Sequence, residues 1–195
     1  MGWLRALAAV VVCGGLVGGV VGCSDDGPEA GPSPSPTVSV STSGSASPSE
    51  EAPVEPVLPE AAKVATESGA RAFIAYYWEL INYAQVTGDV AGLEKVSGPK
   101  CRGCRSGVGA IREHYRAGGT IKGGAYSVKV VKINRLRSSA DSPLAFEAKV
   151  VARNAPQEII AADGSVTHQS AGRSTLVVAA LWISGHWRLE AMEPS

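Results

Sequence analysis

The composition of the chain changes sharply near residue 59, and this change limits where a hydrophobic core can form. Residues 24–59 are dominated by Pro, Ser, Thr and Gly, contain six acidic residues and no Lys or Arg, and have almost no large apolar side chains. Such a segment cannot bury enough apolar surface to offset the entropy of ordering itself. We therefore predict a disordered acidic spacer, with or without sugars on its hydroxyl side chains, and one domain over residues 60–195.

The amino terminus carries a short apolar run, residues 6–21, behind the single basic residue Arg5. Its 16 residues fall short of the roughly 20 that a membrane-spanning helix needs. The segment Val20-Val21-Gly22-Cys23 closes the run and resembles a bacterial lipobox. We predict a cleaved signal peptide and palmitate or a similar acyl chain on Cys23, which gives a lipoprotein on the extracytoplasmic face of the cell membrane. An uncleaved anchor and a signal peptide without lipidation are the alternatives. The predicted divisions are residues 1–22, 23–59 and 60–195.

The four cysteines lie in different predicted segments of the chain. Cys13 lies in the leader and Cys23 is the predicted lipidation site, so Cys101 and Cys104 remain to pair in the exported domain. We predict a structural disulfide. A thiol–disulfide oxidoreductase is one alternative, because basic neighbours and a helix N-terminus lower the pKa of a thiol. A metal site has less support, since it takes about four ligands and only His114 is nearby.

Helical patterns come first in the domain, and strand patterns follow. A helix is predicted from Pro59-Glu60 to the stop signal Thr87-Gly88-Asp89, followed by shorter helices over residues 90–96 and 104–116. Beyond residue 124, apolar and polar side chains alternate, which indicates half-buried strands. Four strands are predicted, over residues 126–131, 144–153, 175–183 and 187–191. Helices followed by antiparallel strands predict an α+β fold.

This order resembles the NTF2-like cone, in which helices pack against a curved antiparallel sheet, here of about four strands. The segment Leu181-Trp182-Ile183-Ser184-Gly185-His186-Trp187-Arg188-Leu189 is similar to the closing hairpin of that fold. The resemblance implies a cavity between helix and sheet. Because NTF2-like sheets often pair, a homodimer is a candidate assembly.

A narrower resemblance is to a family of uncharacterised actinobacterial lipoproteins, and it implies a location but no activity. The segments that carry it are Gly69-Ala70-Arg71-Ala72-Phe73, Tyr76-Tyr77, Asn82-Tyr83-Ala84, Thr87-Gly88-Asp89, Ser97 and Cys101-Arg102-Gly103-Cys104.

The cavity that the NTF2-like resemblance implies lies between helix and sheet, and aromatic side chains of the helices are candidates to line it. The candidates are Tyr76, Tyr77, Trp78, Tyr83 and Tyr115, although aromatics at helical spacing are also typical of ordinary core. Some NTF2-like enzymes place a carboxylate and a tyrosine in the cavity. Glu79 lies three residues after Tyr76 and four before Tyr83, so it is the candidate pocket carboxylate, and the alternative is an exposed side chain.

The region from residue 95 to residue 137 is strongly basic, with eleven Lys or Arg residues against the single acid Glu113. Arg105, Arg112 and Arg116 are expected to share the outer face of the third helix. A positive surface raises the local concentration of anionic partners, which outside a cell are lipid headgroups or wall polymers. The alternative is an ordinary solvated face. An exported chain without a recognition motif is not expected to bind nucleic acid.

Three functional hypotheses follow. The first is a non-catalytic binding or accessory module for a small apolar ligand or an envelope protein, because the chain has none of the common hydrolase, metalloprotease, phosphate-loop or dinucleotide motifs. The second is an extracytoplasmic enzyme that uses a pocket carboxylate, and the third is the thiol–disulfide oxidoreductase. No cofactor and no metal ion is expected.

Overall fold

The computed structural model describes residues 52–136 and 143–195, and it has a mixed α+β fold with helices and antiparallel sheets, as the sequence predicts. The leader, the predicted lipidation site Cys23 and most of the predicted spacer lie outside the described residues. Across the two described ranges, no helix is both long enough and apolar enough to span a bilayer.

The main helix begins later than the sequence predicts. Residues Glu60–Lys63 form a 3-10 turn, and helix α1 covers Glu67–Thr87. Thr66 caps α1, because its hydroxyl accepts a hydrogen bond from the N–H of Gly69 at 3.0 Å. A Cβ on Gly69 would lie 2.1 Å from the Val64 carbonyl oxygen, so only glycine allows the preceding turn to fold back this closely.

The end of α1 agrees with the predicted stop signal. Gly88 adopts a φ of 77° and its N–H donates to the Ala84 carbonyl at 2.8 Å, a left-handed helix cap. Helix α2 (Ala91–Val96) follows, with the Ala91 N–H donating to Asp89 Oδ1 at 2.9 Å. Helix α3 covers Arg102–Arg116, two residues longer at its start than predicted.

Seven strands are present in the described residues, rather than about four. They are β1 (Thr120–Gly123), β2 (Tyr126–Leu136), β3 (Ala145–Asn154), β4 (Gln157–Ile160), β5 (Val166–Gln169), β6 (Gly172–Ile183) and β7 (His186–Pro194). They form a four-stranded sheet in the order β2-β3-β6-β7 and a three-stranded sheet in the order β1-β4-β5, both antiparallel. The four predicted strands are those of the larger sheet. The other three are four residues long, and β5 is fully exposed, so an alternating apolar pattern has no room to develop.

The core lies between α1 and the larger sheet. Phe73 of α1 stacks on Trp187 of β7 with ring centroids 6.5 Å apart, and Phe146 of β3 and Trp182 of β6 contact the same indole at 6.0 and 5.2 Å. The indole N–H of Trp187 donates to the Val64 carbonyl at 3.1 Å, so its polar atom is satisfied. This cluster fixes α1 over the sheet and so sets the position of the residues that follow Phe73 on the helix.

Candidate functional site

A cavity of about 340 Å³ opens between the helices and the strands. This volume is at the small end of the range of ligand sites, roughly 300–1,000 Å³. The lining is mostly apolar and contains no charged side chain. It consists of Tyr77, Trp78, Ile81 and Gln85 of α1, Leu93 of α2, Gly103, Cys104, Gly107, Val108 and Ile111 of α3, Ile121 of β1, Tyr126 of β2, Ser174 and Leu176 of β6, and Met192 of β7.

Helix α1 supplies the aromatic wall. Tyr77 and Trp78 are almost completely buried, and Ile81 follows one turn later. The Tyr77 hydroxyl is within 2.9 Å of the Ser97 hydroxyl, so this buried polar group has a protein partner. Burial raises the pKa of Tyr77, and the hydrogen bond with Ser97 opposes the rise. Tyr77 is therefore a neutral, already hydrogen-bonded part of the wall.

Helix α3 supplies a wall in which two glycines have different surroundings. A Cβ on Gly103 would lie 2.2 Å from the Met192 carbonyl oxygen, so the helix and β7 are in close backbone contact there. A Cβ on Gly107, one turn later, would meet no heavy atom within 4 Å. Gly107 is exposed and lines the cavity, so a side chain at position 107 would meet open space at the cavity wall.

Gln85 is the one buried polar side chain of the cavity, with 8 % of its surface exposed. Its Oε1 accepts a hydrogen bond from Gln157 Nε2 at 2.8 Å, and its backbone carbonyl accepts one from the Tyr115 hydroxyl at 2.7 Å. Its Nε2 has no hydrogen-bond partner among the described residues. A buried donor without a partner costs about 1–3 kcal/mol.

Gln85 is not among the site residues predicted from the sequence. Its signal was available, because Gln85 lies eight residues after Tyr77 and four after Ile81, and so continues an apolar helical face with a polar group.

The structure brings two of the predicted pocket residues, Tyr77 and Trp78, to the cavity lining, and Tyr76 is buried elsewhere. Glu79 is exposed, because two residues after Tyr77 the helix has turned by about 200°. Tyr83 is half-buried and does not contact the cavity. Tyr115 lies behind the lining, where it holds the Gln85 carbonyl and accepts a hydrogen bond from the Ile121 N–H at 3.3 Å.

Cys101 and Cys104 form a disulfide, with their sulfur atoms 2.01 Å apart. The exposed fractions are 0 % for Cys101 and 3 % for Cys104. Cys101 also caps α3, since its sulfur accepts a hydrogen bond from the Cys104 N–H at 3.2 Å. Next to the bridge, the Gly98 N–H donates to the Leu189 carbonyl at 2.7 Å. The bridge therefore holds the start of α3 against β7, and both of its cysteines are almost completely buried.

The three predicted surface arginines share one face of α3, but they are not all free. Arg112 pairs with Glu94 of α2, and Arg105 donates to the Pro99 carbonyl. Arg116 is exposed beside a groove that Glu94 also lines. The acidic side chain of α2 therefore reduces the positive surface that the sequence indicates.

Metal-ligating side chains do not gather in the part of the chain that the structure describes: no three His, Cys, Asp or Glu residues are close enough to hold one ion.

Comparison with known proteins gives a family but no function. The model of a family of unknown function, DUF6318, matches residues 42–193. No curated protein matches the chain.

Two solved structures are distantly similar. The intermembrane space region of the chloroplast protein ARC6 is 12 % identical, with a TM-score of 0.45 over 67 % of this chain and 98 % of that one. Aln2 from a Streptomyces species is 11 % identical, with a TM-score of 0.38 over 66 % of this chain and 93 % of that one.

Proposed function

The chain belongs to the DUF6318 family of unknown function, and we propose from its own site that it is a non-catalytic binding module for a small apolar ligand. The observation that carries the proposal is the cavity of about 340 Å³, which is lined by apolar side chains from both helices and strands. Transfer of apolar surface from water into such a site contributes about 25 cal/mol per Å². A preformed cavity adds to affinity because little ordering is needed on binding.

The chemistry of the cavity favours binding over catalysis. The candidate carboxylate, Glu79, is exposed on α1, and no other acidic side chain lines the cavity. The candidate redox pair, Cys101 and Cys104, is buried as a disulfide. The side chains that meet at the cavity can enclose and orient a ligand, and they include no general acid, general base or activated nucleophile of the kinds that the alternatives need.

The location of this module is a second part of the proposal. We infer an actinobacterial lipoprotein with an NTF2-like domain, acylated on Cys23 and held on the extracytoplasmic face of the cell membrane. The sequence Val20-Val21-Gly22-Cys23 supports it. Mass spectrometry of the protein from its native membrane is expected to find a chain that begins at an acylated Cys23, and an intact leader would contradict this.

The binding proposal is tested by filling the cavity from α3. Gly107 lines the cavity and a Cβ there meets open space, so the leucine of Gly107→Leu is expected to occupy part of the cavity and to weaken binding of butylbenzene by at least about tenfold. Isothermal titration calorimetry with the purified protein measures the change.

Gly109→Leu is the matched control. Gly109 lies on the same helix, a Cβ there also meets no heavy atom within 4 Å, and it does not line the cavity. The control is expected to bind butylbenzene as the wild type does. Equal binding of butylbenzene by the wild type and Gly107→Leu, or failure of the wild type to bind any uncharged apolar probe of this size, would contradict the proposal.

A further inference from the structure

We propose that the ligand is uncharged and carries one hydrogen-bond acceptor, which pairs with Nε2 of Gln85. This inference rests on the proposed binding function and narrows it to a class: a compact apolar body with a carbonyl, ester or ether oxygen.

Within the described residues, Gln85 carries a hydrogen-bond donor without a partner. Gln85 is 8 % exposed and lines the cavity, and its Nε2 has no partner among the described residues. Gln157 Nε2 donates to Gln85 Oε1 at 2.8 Å, which fixes the amide so that its NH₂ group is the free end. The Nε2 atom is itself buried, so a ligand acceptor reaches it once a neighbouring lining side chain moves aside; the acceptor then supplies the missing hydrogen bond, whereas a hydrocarbon leaves the donor unsatisfied.

The side-chain amide of Gln85 is held in place before any ligand arrives. The Tyr115 hydroxyl fixes the Gln85 backbone carbonyl at 2.7 Å, and Gln157 fixes the side chain. A Cβ on Gly124 would lie 2.3 Å from Gln157 Nε2, so a glycine at that position leaves room for the pairing side chain. A donor held from both ends loses little entropy when a ligand acceptor reaches it.

The lining of the cavity offers no charged side chain to an ionised ligand. None of the residues that line the cavity is Lys, Arg, Asp, Glu or His. The Tyr77 hydroxyl is already paired with Ser97, and Ser174 is exposed. Burying a carboxylate beside apolar walls without a cationic partner is costly. The cavity therefore selects a neutral acceptor over a fatty acid or another organic anion.

The test uses three probes that each have ten carbons and a phenyl ring: butylbenzene, butyrophenone and 4-phenylbutyrate. Calorimetry measures each dissociation constant with the wild type and with Gln85→Leu at neutral pH. The preference for ketone over hydrocarbon is expected to fall by about fivefold or more in the variant, since one neutral hydrogen bond is lost. Because each probe is compared with itself across the two proteins, its own hydration cancels. The anion is expected to bind the wild type most weakly.

A second readout needs no variant. In ¹⁵N-labelled wild type, the side-chain amide resonances of Gln85 are expected to move downfield on adding butyrophenone and to stay near their free positions with butylbenzene.

The acceptor inference and the proposed binding function are contradicted by different results. If all probes bind with the same preferences in both proteins, or if 4-phenylbutyrate binds tightest, the acceptor inference is overturned and the binding function stands. If no probe binds the wild type, both are overturned.

Discussion

At the scale of single residues, the wall of the cavity depends on which positions of α3 have no side chain. Gly103 and Gly107 are one turn apart and both line the cavity. Gly103 is required for the close approach of α3 to the Met192 carbonyl, whereas the space around Gly107 is empty. Two glycines with the same helical propensity are thus expected to respond in opposite ways to a methyl group.

Gly107→Ala is expected to raise the free energy of unfolding by about 0.5–1 kcal/mol, because alanine favours the helix and its Cβ meets nothing. Gly103→Ala is expected to lower it by about 1–3 kcal/mol, because its Cβ forces α3 away from β7. Urea denaturation of the two variants measures both changes. Stabilisation by Gly103→Ala would contradict the close helix–strand contact.

Tyr77 is expected to make the free energy of unfolding fall as the pH rises above about 10. Burial raises its pKa above the ordinary value of 10.0, so the folded state holds the phenol proton more tightly than the unfolded chain does. The stability that this proton contributes is complete below about pH 10 and is lost as pH rises through the folded-state pKa. The free energy of unfolding is therefore expected to fall less steeply above about pH 10 in Tyr77→Phe than in the wild type, as urea titrations between about pH 8 and pH 11 would measure.

The difference between the wild-type and Tyr77→Phe curves can be assigned to Tyr77. Burial also raises the pKa of Tyr76 and Tyr115, but both remain in the variant, so the difference between the two curves belongs to Tyr77. Ser97→Ala keeps the buried phenol and is expected to keep the steep fall. Parallel curves for the wild type and Tyr77→Phe would contradict a tightly held proton at this position.

At the scale of elements, the disulfide and the N-terminus of α3 act as one unit. The Cys101 sulfur caps the helix, and the adjoining segment is hydrogen-bonded to β7 through Gly98. A redox pair needs one reachable sulfur, whereas here Cys101 is completely buried and only 3 % of Cys104 is exposed.

The double variant Cys101→Ser/Cys104→Ser is expected to lose about 2 kcal/mol of stability, the value for a very short closed loop. In the folded wild type, the Cys101–Cys104 disulfide is expected to resist reduction by dithiothreitol. Alkylation of any thiols that reduction frees measures this. Addition of denaturant should allow reduction and serves as the positive control. Rapid reduction of the folded protein would instead favour the oxidoreductase alternative.

The sequence predicts those elements that are long enough to show a period. The four strands of the larger sheet and the end of α1 at Gly88 are found near their predicted positions, because alternation and a glycine cap are local signals. The three strands of the smaller sheet are too short to show alternation. The start of α1 differs from its predicted position, because Thr66 is a better cap than the Pro59 region and the close fold-back at Gly69 depends on tertiary packing.

The candidate site was less predictable than the fold. Tyr77 is found from its place on the apolar face, but Glu79 and Tyr83 point elsewhere on the same helix. Gln85 and Gly107 matter because of what surrounds them: an unsatisfied amide and an empty volume. Neither property is visible until α1, α3 and the strands are placed together.

At the scale of the whole described domain, α1 serves two purposes along its length. Its Phe73 packs into the aromatic cluster around Trp187, whereas the four α1 residues that line the cavity all come after Phe73 in the chain. Tight packing at one part of the helix supports an open volume at another. Small residues on the opposite walls, Gly107 of α3 and Ser174 of β6, preserve that volume.

The most direct test of the central claim, that this volume is an apolar binding site, is diffraction from crystals pressurised with xenon, which occupies apolar cavities. The account predicts a xenon atom between Trp78, Ile81 and Leu176 in the wild type and in Gly109→Leu, and none there in Gly107→Leu. A wild-type crystal in which neighbouring side chains have closed the space, or in which ordered water fills it and excludes xenon, would contradict the account.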